Sequence, residues 1–188
     1  MNKQPILDLL ENYRTSFVEE IEFQKQMIDF LTQHDDFALR SNLTGQLTGS
    51  AWVVNKERTK VLLIHHKKLN KWLQIGGHIE ATDQSIEETI LREIKEESGL
   101  KDLKLLSSSI YDIDIHTIPQ KKEIAEHLHF DIRFLVEADE NEKLSPQNEE
   151  ILDIKWYALN KVQNLANSTT SIDQSMKRMV AKMTKYNS

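Results

Sequence analysis

Between Pro5 and His34 apolar residues recur at helical spacing, with Ile6, Leu9, Leu10, Phe17, Ile21, Ile28 and Leu31 separated by polar positions. This pattern predicts one or two amphipathic helices. Asp35 and Asp36, then a Ser41–Gly49 stretch rich in Ser, Thr, Asn and Gly, mark a break, and we place a domain boundary near Asn42. Residues 1–41 then read as an N-terminal helical extension and residues 42–188 as the main domain. Beyond the boundary the apolar runs shorten. Ala51–Val54 and Val61–His65 predict two strands joined by a polar turn, and Trp72–Ile75 predicts a shorter one that ends at Gly76-Gly77. A helix is expected from about Ser85 to Ser98, stopped by Gly99. Further strands are expected at Lys104–Asp112, His127–Val136 and Ile151–Tyr157, and helices at Leu159–Ala166 and Ile172–Lys185. Strands alternating with few long helices point to an α/β or α+β sandwich, with the N-terminal helices packed on it or mediating homodimer contacts.

Composition narrows the chemistry. The 188 residues, 39% hydrophobic and 29% charged, suit a globular chain with its own core. With 24 Lys and Arg against 30 Asp and Glu, the net charge of −6 disfavours extended nucleic acid, whose binding needs a basic surface. A small anionic ligand stays compatible, because a bound cation reverses the sign of a local site. There is no Cys, hence no disulfide, thiolate metal site or thiol nucleophile. The N-terminus lacks the continuous apolar stretch of a signal peptide or membrane span, so no membrane partner is expected and a cytoplasmic location is the default expectation.

The helix expected after Gly76-Gly77 carries the most specific signal. Glu93, Glu96 and Glu97 stand at i, i+3 and i+4, so their carboxylates leave one face within about one turn. Ile86, Ile90 and Ile94 form an apolar stripe for packing on a sheet. Like charges at this spacing cost about 0.2–0.5 kcal/mol per pair, and a divalent cation removes that cost. Oxygen-only donors suit magnesium, manganese or calcium. Arg92, four residues before Glu96, is placed to fix that carboxylate by a charge-assisted bond. Glycines at the strand end let a metal or ligand approach the backbone of Gly77 closely. A surface helix that is merely rich in Glu is the competing explanation for these residues, and the fixed spacing of the glycine pair, Arg92-Glu93 and Gly99-Leu100 argues against it.

Arg92-Glu93-Ile94-Lys95-Glu96-Glu97-Ser98-Gly99-Leu100 resembles the second half of the Nudix box, R-E-U-x-E-E-x-G-U with U aliphatic. The first half departs from the pattern: fourteen residues separate Gly77 from Arg92 where the box has thirteen, and the Glu slot falls to Asp83 or Gln84. The resemblance spans about Thr48 to Tyr157 and implies an α/β/α sandwich with a mixed sheet. It implies an Mg²⁺- or Mn²⁺-dependent hydrolase that cleaves the diphosphate linkage of a small nucleoside diphosphate derivative. Glu93 and Glu97 would be the principal metal ligands, with Glu96 a further ligand or the base that activates water. The competing class is a non-catalytic Nudix-like module that binds a nucleotide as a sensor, and degenerate boxes are expected there.

Three other groups are candidates. In the strand His127–Phe134, His127, His129, Asp131 and Arg133 share one face, and the first three are expected to bind substrate if that face lines a cleft. Glu149 or Glu150, ahead of the last strand, is expected to join the metal site or act as general base, as a loop Glu does in several Nudix subgroups. Trp72 and Tyr111 are candidates for stacking on a base.

Overall fold

The computed structural model describes residues 1–120, 125–147, 150–165 and 171–187. The elements are α1 (Gln4–Asn12), α2 (Val18–Gln33), β1 (Gly45–Val54), β2 (Lys60–His66), β3 (Lys71–Leu73), β4 (Ile75–His78), α3 (Ile86–Ser98), β5 (Leu103–Leu105), β6 (Asp112–Ile118), β7 (His127–Ala138), β8 (Ile151–Ala158), α4 (Leu159–Leu165) and α5 (Ser171–Tyr186). The strands form an eight-stranded mixed sheet in the order β3-β2-β1-β7-β5, with β4 on β1, β6 on β7 and β8 on β2. This is the α/β fold that the sequence pattern implies. Among the described residues no helix is long and apolar enough to cross a membrane.

By its contacts the chain divides into two compact units, each assembled from several segments. The first holds Met1–Ser50, Gly77–Ile90 and Ser107–Phe134; the second holds Ala51–Gly76, Leu91–Leu106 and Leu135–Ser188. In the first unit, α1 packs on α2 and α2 on β6. Apolar burial drives this, through Ile6, Leu10, Met27 and Leu31, and Phe30 stacks on Phe130 with ring centroids 4.2 Å apart. Glu20 of α2 is fully buried and accepts hydrogen bonds from Tyr13 Oη at 2.7 Å and from the Ile113 amide of β6 at 3.2 Å. The acid thus ties the N-terminal helices to the sheet by a buried polar contact as well as an apolar one.

In the second unit, β2 lies between β3 and β8 in antiparallel register, pairing His65 with both Trp72 and Asp153. Val61, Leu62, Leu63 and Ile64 of β2 are all buried. The buried Met176, Met179, Val180 and Met183 give α5 an apolar face, and Asn187 donates to the Arg58 carbonyl at 3.0 Å.

Three expectations shift. β1 begins at Gly45 rather than Ala51, and all of it is buried. Its first half resembles a loop in composition, but Thr48 and Ser50 donate to Asp131 at 3.0 and 2.8 Å, and Gln46 binds His78. The single strand expected at Lys104–Asp112 is two, β5 and β6, separated by residues 106–111, and the strand expected at Trp72–Ile75 is interrupted at Gln74. The expected helix at Leu159–Ala166 ends in a residue outside the described ones, whereas α3 begins within one residue of its expected start.

Candidate active site

The helix that carries the carboxylates is fixed at both ends. Ser85 Oγ accepts from the Glu88 amide at 3.2 Å while the Glu88 carboxylate accepts from the Gln84 amide at 2.8 Å, a reciprocal arrangement close to a capping box. Asp83, buried just upstream, accepts from the Thr89 hydroxyl and the Glu80 amide, both at 2.9 Å. This aspartate, one of two candidates for the Glu slot, therefore braces the loop on the first turn of α3. At the other end Gly99 has φ +79°, and a Cβ there would stand 2.8 Å from the Ser145 carbonyl oxygen. Ser145 and Gln147 donate backbone N–H groups to the Ser98 and Glu96 carbonyls at 2.7 and 3.1 Å, satisfying helix-end acceptors that would otherwise lack partners.

Between these ends Ile86, Ile90 and Ile94 are buried as the stripe predicts. The other edge is acidic. Glu97 is 5% exposed, and its Oε2 accepts from the Gly76 amide at 3.3 Å, so a buried carboxylate sits against the backbone of Gly76, which with Gly77 lies within β4 instead of ending a strand as the sequence suggests. Arg92 Nη1 donates to Glu93 Oε1 at 2.9 Å and Glu96 Oε2 at 3.3 Å, which meets the expectation that it holds Glu96. The Glu93 side chain is 13% exposed and that of Glu96 51%. One guanidinium thus bridges two carboxylates, with Glu97 a third acid in the last turns of the same helix, where the macrodipole already disfavours negative charge. Gly76, Arg92, Glu93, Glu96 and Glu97 all belong to the second unit, and Gly77 opens the next segment of the first. Among the described residues no three His, Asp or Glu side chains gather closely enough to form a ready-made metal site.

The remaining candidates fall elsewhere. Glu150 bonds Lys68 and lies 3.7 Å from His66 Nε2, at the end of β2, and its carbonyl accepts from Lys67 at 2.8 Å. Glu149 lies outside the described residues. Trp72 stacks on His65 at 5.0 Å and meets the edge of Tyr157 at 4.8 Å, with Lys155 Nζ 5.6 Å above its ring. Tyr111 is held well above the ordinary phenol range by burial and by the nearby Asp112 and Glu20.

In the first unit His127, His129 and Asp131 do share a face of β7. Asp131 is saturated there, taking Thr48 and Ser50 on one oxygen and Arg133 Nε at 2.7 Å on the other. Arg133, 1% exposed, also bonds Asp112 at 3.0 Å and reaches Asp114 at 3.3 Å. Those aspartates outweigh the burial that opposes its charge and hold it above the ordinary guanidinium range. Sequence reasoning missed Asp112, Asp114, His116 and His78 as members of this polar face. The alternation Asp112-Ile113-Asp114-Ile115-His116 signals a strand, yet nothing local shows that it pairs with His127–Arg133.

Residues 46–181 match the NUDIX domain, nearly three-quarters of the chain. The chain belongs to the NUDIX family. Among its Nudix relatives, a protein of Lactococcus lactis subsp. cremoris (strain MG1363) named "Probable DHNTP pyrophosphohydrolase" is 26% identical over 137 residues, covering 72% of this chain and 81% of the relative. A NUDIX-family hydrolase from Clostridium perfringens is 26% identical with a TM-score of 0.53, covering 77% of this chain and 99% of its own. The NUDIX domain of Shewanella oneidensis NrtR, solved with ADP ribose, is 18% identical with a TM-score of 0.53 and covers 85% of this chain and 97% of its own, a likeness of fold alone. With the Arg92-Glu93 and Glu96-Glu97 steps of the Nudix box in place, the chain is a Nudix pyrophosphohydrolase.

Proposed function

We propose that this enzyme hydrolyses the diphosphate linkage of a nucleoside diphosphate derivative or a similar small phosphoanhydride, with Mg²⁺ or Mn²⁺ as cofactor. The observation that carries the reading is Glu97, a buried carboxylate held on the Gly76 amide one turn from Glu93. The donor set fits a hard divalent cation: the carboxylates of Glu93 and Glu97, that of Glu96 and the Gly77 carbonyl supply oxygen alone. When bound, the ion would neutralise the non-bridging oxygens and lower the pKa of a coordinated water.

The chain's own groups do the rest. Arg92 holds Glu93 and Glu96 in defined rotamers, and Glu96, half exposed, is placed to take the proton of the attacking water. Glu150 is the second candidate base, with His66 and Lys68 orienting it. Trp72 contributes an aromatic surface for the organic part of the substrate. Residues 1–41 act as a helical extension of a catalytic domain at 42–188, and a cytoplasmic setting accords with the absence of Cys.

A hydrolysis screen over nucleoside triphosphates, nucleotide sugars, ADP-ribose, dinucleoside polyphosphates and dihydroneopterin triphosphate, each with Mg²⁺ and with Mn²⁺, tests the reading. Metal-dependent release of phosphate, pyrophosphate or a monophosphate is expected. Binding without turnover at any metal concentration would replace this reading with the sensor reading.

A further inference from the structure

Histidines on the strands differ in what reaches them. In the first unit burial, then His78, His116, His127 and Arg40, push the His129 imidazole down to about 2, so that ring stays neutral. In the second unit His66 ends β2 with 22% of its side chain exposed. It stands at the base of a hairpin rich in positive charge: His65-His66-Lys67-Lys68-Leu69-Asn70-Lys71 holds three lysines and no acid, in a chain of net charge −6. Asn70, at φ +50°, turns the tip, and its amide donates to the His66 carbonyl at 2.8 Å. Register then sets His66 opposite Lys71 of β3, so the two side chains share a face of the sheet.

A carboxylate already sits against this group. Lys68 Nζ bonds Glu150 Oε1, and His66 Nε2 lies 3.7 Å from Oε2. The ring is oriented for it: the Leu69 amide donates to Nδ1 at 3.3 Å, which places the proton of the neutral imidazole on Nε2, the nitrogen nearer Glu150. The Glu150 backbone is fixed by the bond from the Lys67 amide, whereas its side chain is 45% exposed and that of Lys68 50%. An ion pair this exposed contributes little to stability, so it exchanges readily for a better anion. A terminal phosphate carries about −1.5 to −2 charges at pH 7 against one for the carboxylate and offers three acceptor oxygens, which makes it the stronger partner for two ammonium groups and an N–H. An internal phosphate of a diphosphate bridge carries a single charge and has no such advantage. The hairpin is also tethered to the carboxylate helix within this unit. Gln147 donates its amide to the Glu96 carbonyl at 3.1 Å, and three residues of chain, at most about 11 Å, lead from Gln147 to Glu150.

We propose that His66, Lys68 and Lys71 form a receptor for a terminal phosphate of the substrate, whose place the Glu150 carboxylate holds in the free enzyme. The inference rests on the functional reading above and narrows its substrate to a phosphoanhydride with a free phosphate end, such as a nucleoside triphosphate. Until the phosphate arrives His66 and Lys68 orient Glu150, and its arrival frees that carboxylate.

The first test is calorimetric titration of the protein with tripolyphosphate in EDTA, where no divalent cation can hold the phosphates on Glu93 and Glu97. Saturable binding is expected, weakened about tenfold in Lys68→Gln and in Lys71→Gln. Glu150→Gln separates a receptor from a surface staple: removing the competing charge should tighten binding about threefold, whereas loss of a staple would leave it unchanged or weaker. No binding to either the unmodified protein or Glu150→Gln, an affinity unchanged in both lysine variants, or no gain in Glu150→Gln overturns the proposal. The second test follows turnover of the nucleoside triphosphate that the screen finds to be cleaved. Lys68→Gln should raise its KM about tenfold with a smaller effect on kcat, and Lys68→Arg should recover most of the loss. Cleavage of ADP-ribose or a dinucleoside polyphosphate with no triphosphate turned over counts against the proposal, as does a fall confined to kcat. If the unmodified enzyme cleaves no phosphoanhydride, the functional reading fails by itself, while the titration still decides the receptor.

Discussion

Glu97 combines two features that rarely coexist without a purpose, near-complete burial and a formal charge. Its Gly76 hydrogen bond offsets part of the desolvation, and a cation on the same edge would offset more. Glu97→Gln keeps the size and an acceptor for Gly76 while removing the charge. Turnover should fall at least about 100-fold with the thermal midpoint little changed, and steady-state rates beside a melting curve check both. His129 supports a prediction of a different kind. Its folded value lies far below the ordinary 6.5, so as pH drops below 6.5 the unfolded chain takes up a proton that the folded one refuses. Stability is therefore complete above that pH and declines by up to about 1.4 kcal/mol per pH unit below it. Denaturant titrations at several pH values should show this slope, reduced by about one proton in His129→Gln. None of this was legible from His127-Leu128-His129 alone, because the strand pattern shows which residues share a face and not what covers it.

At the level of the element, α3 was legible almost to the residue, since its stripe, its Ser85 start and its Gly99 stop are all local signals. The first half of β1 was not. Gln46, Thr48 and Ser50 read as loop residues, and the partners that make them strand residues, Asp131 and His78, lie far away in the chain. The two ends of α3 also explain how the chain tolerates its longer first half of the Nudix box. A residue inserted ahead of Ser85 only lengthens a loop, whereas one inserted after it would turn every later side chain by about 100° and carry Glu93 and Glu97 off their shared edge. Gly99→Ala tests the far end. The positive φ and the 2.8 Å approach to Ser145 oxygen should make it cost about 1–3 kcal/mol, read as a lowered thermal midpoint.

For the whole molecule, the sequence suggested a boundary near Asn42, and Glu20 shows what crosses it: a carboxylate on α2 serving a backbone amide on β6. Apolar spacing revealed α2 as amphipathic, but the burial of Glu20 depends on Tyr13 and Ile113 and has no counterpart in the pattern. Deleting residues 1–41 should therefore lower stability by several kcal/mol rather than yield an intact domain, through the lost burial of Met27, Phe30 and Leu31 and an unmet amide at Ile113. Chemical denaturation of the shortened chain would decide it, and an undiminished midpoint would argue that 42–188 stands alone. A consequence follows for behaviour in concentrated solution. Among the described strands β6 pairs with β7 alone, so its other side is a sheet margin of the kind that recruits strands from neighbouring chains. α2 packs on β6 and Glu20 gives the Ile113 amide an internal acceptor, so at that position the margin offers a neighbouring strand no unsatisfied donor.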